Sequence, residues 1–448
     1  MKRLVLRYIS TLLVLIMLTA LLSGCRCDDI TTEHPTKTEL ILATLFVNPF
    51  LSQAVSAFNQ SNDLYYIRII DYSEFDTEDD YRAGYTKLIT EITSGNIPDI
   101  LNLWPLLPAH EYVAKGLLVD LYPYIDSDPE LSRSTLIENV MKLSEINGGF
   151  YRVFPGFNIS SMIGSTSVLG EDMGWTIDEF RTLLEANPQA DMPLGRFYRT
   201  FFLTRTVTVC IDQFVDLSTG TCSFDSDEFI HLLEVANTLP EEIDYRYEEV
   251  DLISFGRQII MYTQSLNSFK EIQIYKAIFD SEIVFKGFPT EGGIGNIIDL
   301  DHALAMTTEC SDKQGAWEFL RFFLTEEYQR KYAENSFYLP SNQVVFDEML
   351  EAAMTPVLNT DINGDEYEVS QTYYYDSVAV ETFAITQDEA DQIIALIDSA
   401  SFLHNSFNDI ILDIIRESLS SYYMGHSSAV ETANVIQSKV SILLSEQR

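Results

Sequence analysis

The amino-acid sequence predicts an α/β fold in which helices cover the faces of a parallel sheet. Two observations carry this. Short apolar runs of strand length alternate with amphipathic helical patterns over the first two-thirds of the chain, and the leading part of that stretch reads β-α-β-α-β. The composition suits such a fold: 448 residues suffice for two or three domains, and 46% hydrophobic with 21% charged residues can supply packed cores. With only 20 glycines and 14 prolines, collagen-like and low-complexity architectures are excluded.

The elements follow in order. Residues 40–46 are an apolar run of strand length, and Leu51, Val55 and Phe58 then recur at helical spacing. Residues 65–71 read as a second strand. Tyr81, Tyr85, Leu88 and Ile92 line one helical face, Gly95 supplies a stop, and residues 99–103 form a third strand after Pro98. Thr176 and Glu179 make a capping box opening a helix that buries Phe180, Leu183 and Leu184. Phe229, Leu232, Leu233 and Ala236 form another apolar face. Strands are expected at 207–211, 258–262, 283–288 and 302–306, and a helix after Asp312 should bury Ala316, Phe319, Leu320 and Phe323. The last quarter reads as helical, with capping boxes at Thr386/Glu389 and Ser428/Glu431 and Gly425 between two helices. There is no internal repeat and no low-complexity linker, so two lobes built from this chain would exchange it several times.

Residues 1–24 stand apart. Lys2, Arg3 and Arg7 precede an apolar stretch, residues 12–22, that is short for a membrane span. It ends Leu22-Ser23-Gly24-Cys25, the pattern of a bacterial lipoprotein signal, which makes Cys25 the expected lipidation site and residues 25–38 a tether. Two acyl chains suffice for stable membrane attachment. Removal of this segment leaves 25 basic against 68 acidic residues, a net charge of −43. Such a field repels phosphate backbones, which excludes nucleic acid as a partner, and an anionic ligand would need a local exception to it. Cys210 and Cys222 are either a disulfide or free thiols, since export permits both.

Catalytic and metal-binding patterns do not assemble. There is no nucleophile elbow, no zinc-protease helix and no phosphate loop, and the six histidines are dispersed. The Gly292-Gly293-Ile294-Gly295 fragment reads as a tight turn. Asp361-Ile362-Asn363-Gly364-Asp365 begins like a calcium loop, but its glycine falls at the fourth position instead of the sixth and Thr372 stands where a bidentate glutamate belongs. The expectation is a non-enzyme without metal or cofactor.

Five further stretches, in order, resemble the bacterial extracellular solute-binding proteins of ATP-binding-cassette importers. They are residues 88–100, residues 112–121, Gly174-Trp175-Thr176-Ile177-Asp178-Glu179-Phe180, Gly287-Phe288-Pro289, and Lys313-Gln314-Gly315-Ala316-Trp317-Glu318-Phe319-Leu320. The pattern at 433–446 is also similar. The resemblance implies a two-lobed periplasmic-binding-protein-like fold of type II, with a ligand cleft between lobes and three chain crossings, placed near 150–154, 292–301 and 349–360. The first lobe would comprise 39–150 with 297–350, and the second 151–296 with 351–448. It further implies a monomeric receptor on the outer face of the cytoplasmic membrane that captures a carbohydrate, in the first place an oligosaccharide, and hands it to permease subunits and through them an ATPase. A peptide, polyamine or other solute in the same fold, and a secreted glycosidase or adhesion protein, are the competing expectations.

In open α/β sheets, ligands bind beyond the C-terminal ends of strands. That rule selects Asn48 after the first strand, Trp104 after the third, Tyr262 and Gln264 after a strand of the other lobe, Phe157 after the first crossing and Asp301 beside the second. Trp104 offers a flat face for stacking on a sugar, packing beside Pro105 being the alternative. Asn48, Gln264 and Asp301 would hydrogen-bond hydroxyl groups or form turns, and Tyr262 and Phe157 would face the ligand or the core. Trp175 and Trp317 belong to the core because both sit in helix motifs.

Overall fold

The computed structural model describes residues 37–103, 107–188, 190, 193–195, 197–216, 219–241, 261–291, 293–334, 336, 338–375, 378–404 and 406–446. The leader, Cys25 and Trp104 lie outside this set.

β1 (Thr38–Thr44), α1 (Pro49–Ser61), β2 (Tyr65–Asp71), α2 (Ala83–Thr93) and β3 (Ile100–Asn102) realise the opening pattern, and the three strands pair in parallel with β1 in the middle. Local chemistry sets the breaks. The Asn48 side chain caps α1 by accepting from Leu51 N at 2.9 Å, with Pro49 at the first helical position. Gly95 follows α2 at φ +89°, a conformation that costs glycine nothing. Asp99 then ties β3 to its surroundings, accepting from Ile41 N and Ser311 N, each at 2.7 Å.

α3 (Ala109–Ala114), α4 (Tyr122–Ser127) and α5 (Glu138–Ser144) lead to a passage between sheets. Val153 still bridges Leu304 of the first sheet, and three residues later β4 (Gly156–Ser165) opens as the strand shared by most pairs of a six-stranded second sheet. α6 (Thr166–Leu169) and α7 (Ile177–Ala186) follow, the latter opened by the Thr176/Glu179 capping box.

The strand expected at 207–211 is a correction: those residues lie inside α8 (Arg199–Phe214). Val207, Val209 and Ile211 have strand propensity, but Phe202, Leu203, Val207, Cys210 and Phe214 recur at helical spacing and are buried. Thr204 and Thr208 donate to the carbonyls four residues back, so their hydroxyls are satisfied within the helix.

Beyond α8 come β5 (Val215–Asp216), β6 (Thr221–Cys222), α9 (Asp227–Asn237), β7 (Met261–Leu266), α10 (Glu271–Phe279), β8 (Ile283–Phe285), β9 (Ile297–Asp301) and β10 (Leu304–Met306). β4 pairs antiparallel with β7, β8 and β9, so the second sheet is largely antiparallel, whereas the first is parallel except for β10 against β3. The lobe boundary expected at 297 moves as well. β9 is in register with β4 over five residue pairs and belongs to the second sheet, so the chain passes back at His302-Ala303.

α11 (Lys313–Phe322), α12 (Glu326–Ala333), β11 (Leu339–Pro340) and α13 (Gln343–Met354) come next. β11 already pairs with β4, so the chain reaches the second sheet before the crossing expected at 349–360. The helical expectation for the last quarter also fails in part. β12 (Leu358–Thr360) with β13 (Glu366–Glu368), and β14 (Gln371–Tyr375) with β15 (Val378–Thr382), form two antiparallel hairpins. Their physical basis is a tyrosine- and valine-rich segment without an apolar stripe at helical spacing. The loop at 361–365 is the first hairpin's turn, with Asp361 Oδ1 accepting from Asn363 N at 2.8 Å and Asp365 N at 2.9 Å. α14 (Gln387–Ser399), β16 (Phe402–Leu403), α15 (Ser406–Tyr423) and α16 (Ala429–Glu446) complete the chain, β16 lying parallel to β9.

Three apolar clusters fill the interior. One runs continuously from β1, α1 and α11 to β4 and α10, a second lies among α7–α9, α15 and α16, and a third lies under α2 and α3. Trp175 and Trp317 are buried in the core as expected. Cys210, Cys222 and Cys310 are free thiols; Cys210 sits against Pro289 O, while Cys222 contacts Ser441, so the pair does not bridge. Among the described residues no helix is long and apolar enough to cross a membrane.

Candidate functional site

The passage from β9 to β10 gathers polar groups from both sheets. His302, buried at φ +56°, turns the chain in the left-handed region that side chains seldom adopt. Its Nε2 lies 3.1 Å from Asn48 Oδ1, which ties the passage to the start of α1. Ala303 N donates to Asn102 Oδ1 at 3.3 Å, and Asn102 Nδ2 donates to Thr44 Oγ1 at 3.1 Å. The C-terminal ends of β1 and β3 thus meet the crossing through a chain of hydrogen bonds.

The second sheet contributes a row of polar side chains. Along β9, Ile298 and Leu300 alternate with Asp299 and Asp301, so the carboxylates share one face. Asp299 accepts from Ser160 Oγ at 3.0 Å, and Ser160 meets Ser265 of β7 at 2.9 Å. His404 stands between two carboxylates, Nδ1 at 3.0 Å from Asp299 and Nε2 at 3.0 Å from Asp409, and Arg205 of α8 lies 3.7 Å from Asp299.

The electrostatics follow from this packing. Burial works against charge on His404, but the hydrogen bonds and charges of Asp299 and Asp409 outweigh it and lift the imidazole to about 9. Burial likewise raises Asp299, yet His404 and Arg205 win and hold it below the usual carboxylate range. Two anions face two cations, so the cluster is balanced at neutral pH. The side chains of Asp299, Arg205 and His404 keep 20%, 24% and 31% of their exposure, which leaves them within reach of a ligand. Beside them the rings of Phe197 and Phe201 lie 4.3 Å apart, with the Arg205 guanidinium 5.5 Å from the Phe201 ring. Polar groups next to a partly exposed aromatic pair can take up a polyhydroxylated ring, stacking on its apolar face and bonding its hydroxyls.

On the other side of the crossing, the Tyr332 hydroxyl donates to Asp301. The Tyr332 ring meets Phe50 edge-on at 5.8 Å and stacks on Tyr328 at 6.1 Å. These three rings, with Ala54, Ala57 and Phe322, line a cavity of about 220 Å³ between α1 and α12. Burial, then the charges of Asp301 and Asp299, push the Tyr338 hydroxyl up to about 12.

Of the residues selected from sequence, Asn48 and Asp301 come together at this crossing, each with a partner inside the protein. Phe157 is fully buried and packs in the first apolar cluster, so its cleft role gives way to a core role; its ring belongs to the inward face of β4. Tyr262 and Gln264 lie within β7 rather than beyond its end, paired with Ile163 and Ser161, because the strand runs on to Leu266, past the end its apolar run suggested. Trp104 is outside the described residues. Sequence reasoning missed Asp299, Arg205, His404 and Tyr332. Only Asp299 left a local trace, as one of two carboxylates at alternate positions of an apolar run. Gly295 needs no ligand to explain it: an added Cβ would fall 2.0 Å from Phe288 O, so two chain segments meet there.

Two linked sheets, with the chain passing back and forth at their junction, define the two-lobed periplasmic-binding-protein-like fold. No family model and no curated protein matches this chain. Solved structures do match it over nearly its whole length. The sugar-binding protein MalE from Xanthomonas citri is similar at TM-score 0.59 and 12% identity, over 92% of this chain and 98% of that one. The substrate-binding protein Lmo0181 from Listeria monocytogenes, in complex with cycloalternan, is similar at TM-score 0.57 and 15% identity, over 91% and 99%. A family 1 extracellular solute-binding protein from Alicyclobacillus acidocaldarius gives TM-score 0.54 at 14% identity, over 91% and 99%. At such identities the likeness establishes the fold.

Proposed function

We propose that this chain is the solute receptor of an ATP-binding-cassette importer and that it captures a carbohydrate. The observation that carries the reading is the balanced row of Ser160, Asp299, Arg205 and His404 beside the Phe197/Phe201 pair, at the junction where this fold holds its ligands. Similar folds that bind sugars, such as the cycloalternan-bound Listeria protein, support the same class of ligand. The polar row is a binding device: its charges are paired with each other, and among the described residues no activated nucleophile stands beside it. Trp104, two positions past β3 in sequence, adds a stacking surface from the first lobe.

The export context follows from the sequence. Cys25 carries diacylglycerol, the chain is held on the outer face of the cytoplasmic membrane, and the monomer delivers its solute to permease subunits coupled to an ATPase. Mass spectrometry of the mature N-terminus tests the anchor; an unmodified chain beginning elsewhere would refute it. Thermal-shift screening of the full-length chain in detergent against neutral oligosaccharides, peptides and polyamines tests the ligand class. A hundredfold excess over Kd adds about 2.7 kcal/mol of stability. Response to a peptide or polyamine alone would overturn the sugar reading, and chemical conversion of the bound solute would overturn the receptor reading.

A further inference from the structure

Among the described residues, Arg152 is a charged side chain held inside the fold with most of its guanidinium unpaired. It lies one residue before Val153, whose main chain pairs with Leu304 of β10, and so sits beside the crossing that holds the candidate site. Arg152 is 5% exposed, and its Nε and Nη2 are buried without a hydrogen-bond partner. Burial drags its pKa down to about 10, and among the described residues no carboxylate pairs with it to support the charge. The charge nevertheless persists at neutral pH. His110 of α3 is near enough to feel it, and burial, then Arg152, lower that imidazole to about 4, so His110 is neutral there. A neutral ring adds no countercharge.

A buried guanidinium without a counterion is among the costliest arrangements a fold can hold, and proteins that keep one supply an anion. In a chain of formal net charge −40, which disfavours anions in general, a buried cation with no acidic partner among the described residues is a local inversion of the field. The guanidinium fork matches an oxyanion bidentately and with direction. We propose that Arg152 is the anchor of an anion-binding subsite for a carboxylate carried by the captured solute, which makes that solute an acidic sugar of the uronate type. This rests on the receptor reading above. The Asp299 cluster does not oppose it, because His404 and Arg205 compensate that carboxylate.

The test compares digalacturonate with neutral galactobiose by calorimetry on the full-length chain in detergent, for the unmodified protein, Arg152→Met and Arg152→Lys. Inorganic phosphate and chloride serve as free-anion arms. Digalacturonate should bind at least about tenfold more tightly than galactobiose, and Arg152→Met should erase that preference without weakening neutral-sugar binding. Arg152→Met should also raise the ligand-free melting temperature, because an apolar side chain of similar length removes the unpaired charge. Arg152→Lys should keep part of the preference, having the charge but not the fork, and it carries the test if the methionine variant does not fold. Stabilisation by phosphate or chloride that Arg152→Met abolishes, with no preference for the uronate, would overturn the acidic-solute assignment and give the site to a free anion. Equal anion responses in all three proteins would overturn the subsite itself, and neutral-sugar binding would then leave the receptor reading standing.

Discussion

His404 gives the fold a dependence on alkaline pH that can be worked out in advance. Its imidazole bridges Asp299 and Asp409, each at 3.0 Å, and this lifts its pKa from 6.5 to about 9. A folded-state pKa raised above the unfolded value means stability that is complete below the unfolded pKa and is lost as pH rises through the folded one. The window is therefore from about pH 6.5 to 9. Taken at face value the shift corresponds to about 3 kcal/mol. The side chain is 31% exposed, so solvent screening reduces this to roughly 1–2 kcal/mol. Urea unfolding at several pH values across the window should show that decline in the unmodified protein. His404→Gln, which cannot carry the charge, should be less stable at pH 6.5 and converge with the unmodified protein towards pH 9.5. The comparison matters because Glu271 also changes charge near neutrality, and only the difference between the two proteins isolates His404. Parallel pH profiles for the two proteins would refute the reasoning.

Three other outcomes can be checked. Glu271 is buried, and burial outweighs its hydrogen bonds from Asn267 and Tyr275, raising it to about 7; its contribution is complete below pH 4.5 and lost as pH rises through 7. Glu271→Gln should therefore be more stable than the unmodified protein at pH 8, by up to about 3 kcal/mol, and not at pH 4.5, as thermal melts at the two values would report. Arg321 holds Asp128, whose side chain is 3% exposed, at 2.6 Å; Arg321→Met should cost about 3–5 kcal/mol in urea unfolding, and Asp128→Asn added to it should recover part of that loss. Trp104→Ala should weaken sugar binding about tenfold with little change in stability if the ring stacks on ligand, whereas unchanged affinity with a loss of about 3–5 kcal/mol would return it to the core.

The elements legible in the sequence are those whose information is local. An apolar run of strand length gives β1, helical spacing of Leu51, Val55 and Phe58 gives α1, and side chains three residues apart give the helix starts at Thr176, Thr386 and Ser428. Each depends on contacts within a single turn or strand. α8 was not legible, because the β-branched residues Val207, Val209 and Ile211 favour a strand locally and the helix is chosen by burial against α9 and α15. The hairpins at 358–382 escaped for a related reason: they follow a helix directly, and strand pairing is a contact between segments.

The sequence by itself determined the α/β class, the parallel core of the first sheet and the polar groups available for binding. It also placed Asn48 and Asp301 near strand ends. Tertiary structure alone decided which of those groups meet. Asp299, His404 and Arg205 come from a strand, the segment before α15 and α8, separated by up to about two hundred positions, and no local pattern couples them. Their charges are set by one another at about 3–4 Å, a distance that exists only once β9 and β16 are paired and α8 has packed beside them. The lack of a partner for Arg152 Nε and Nη2 among the described residues is of the same kind. Lack of a partner belongs to the space around a residue, and that space is defined only when the chain has closed upon it.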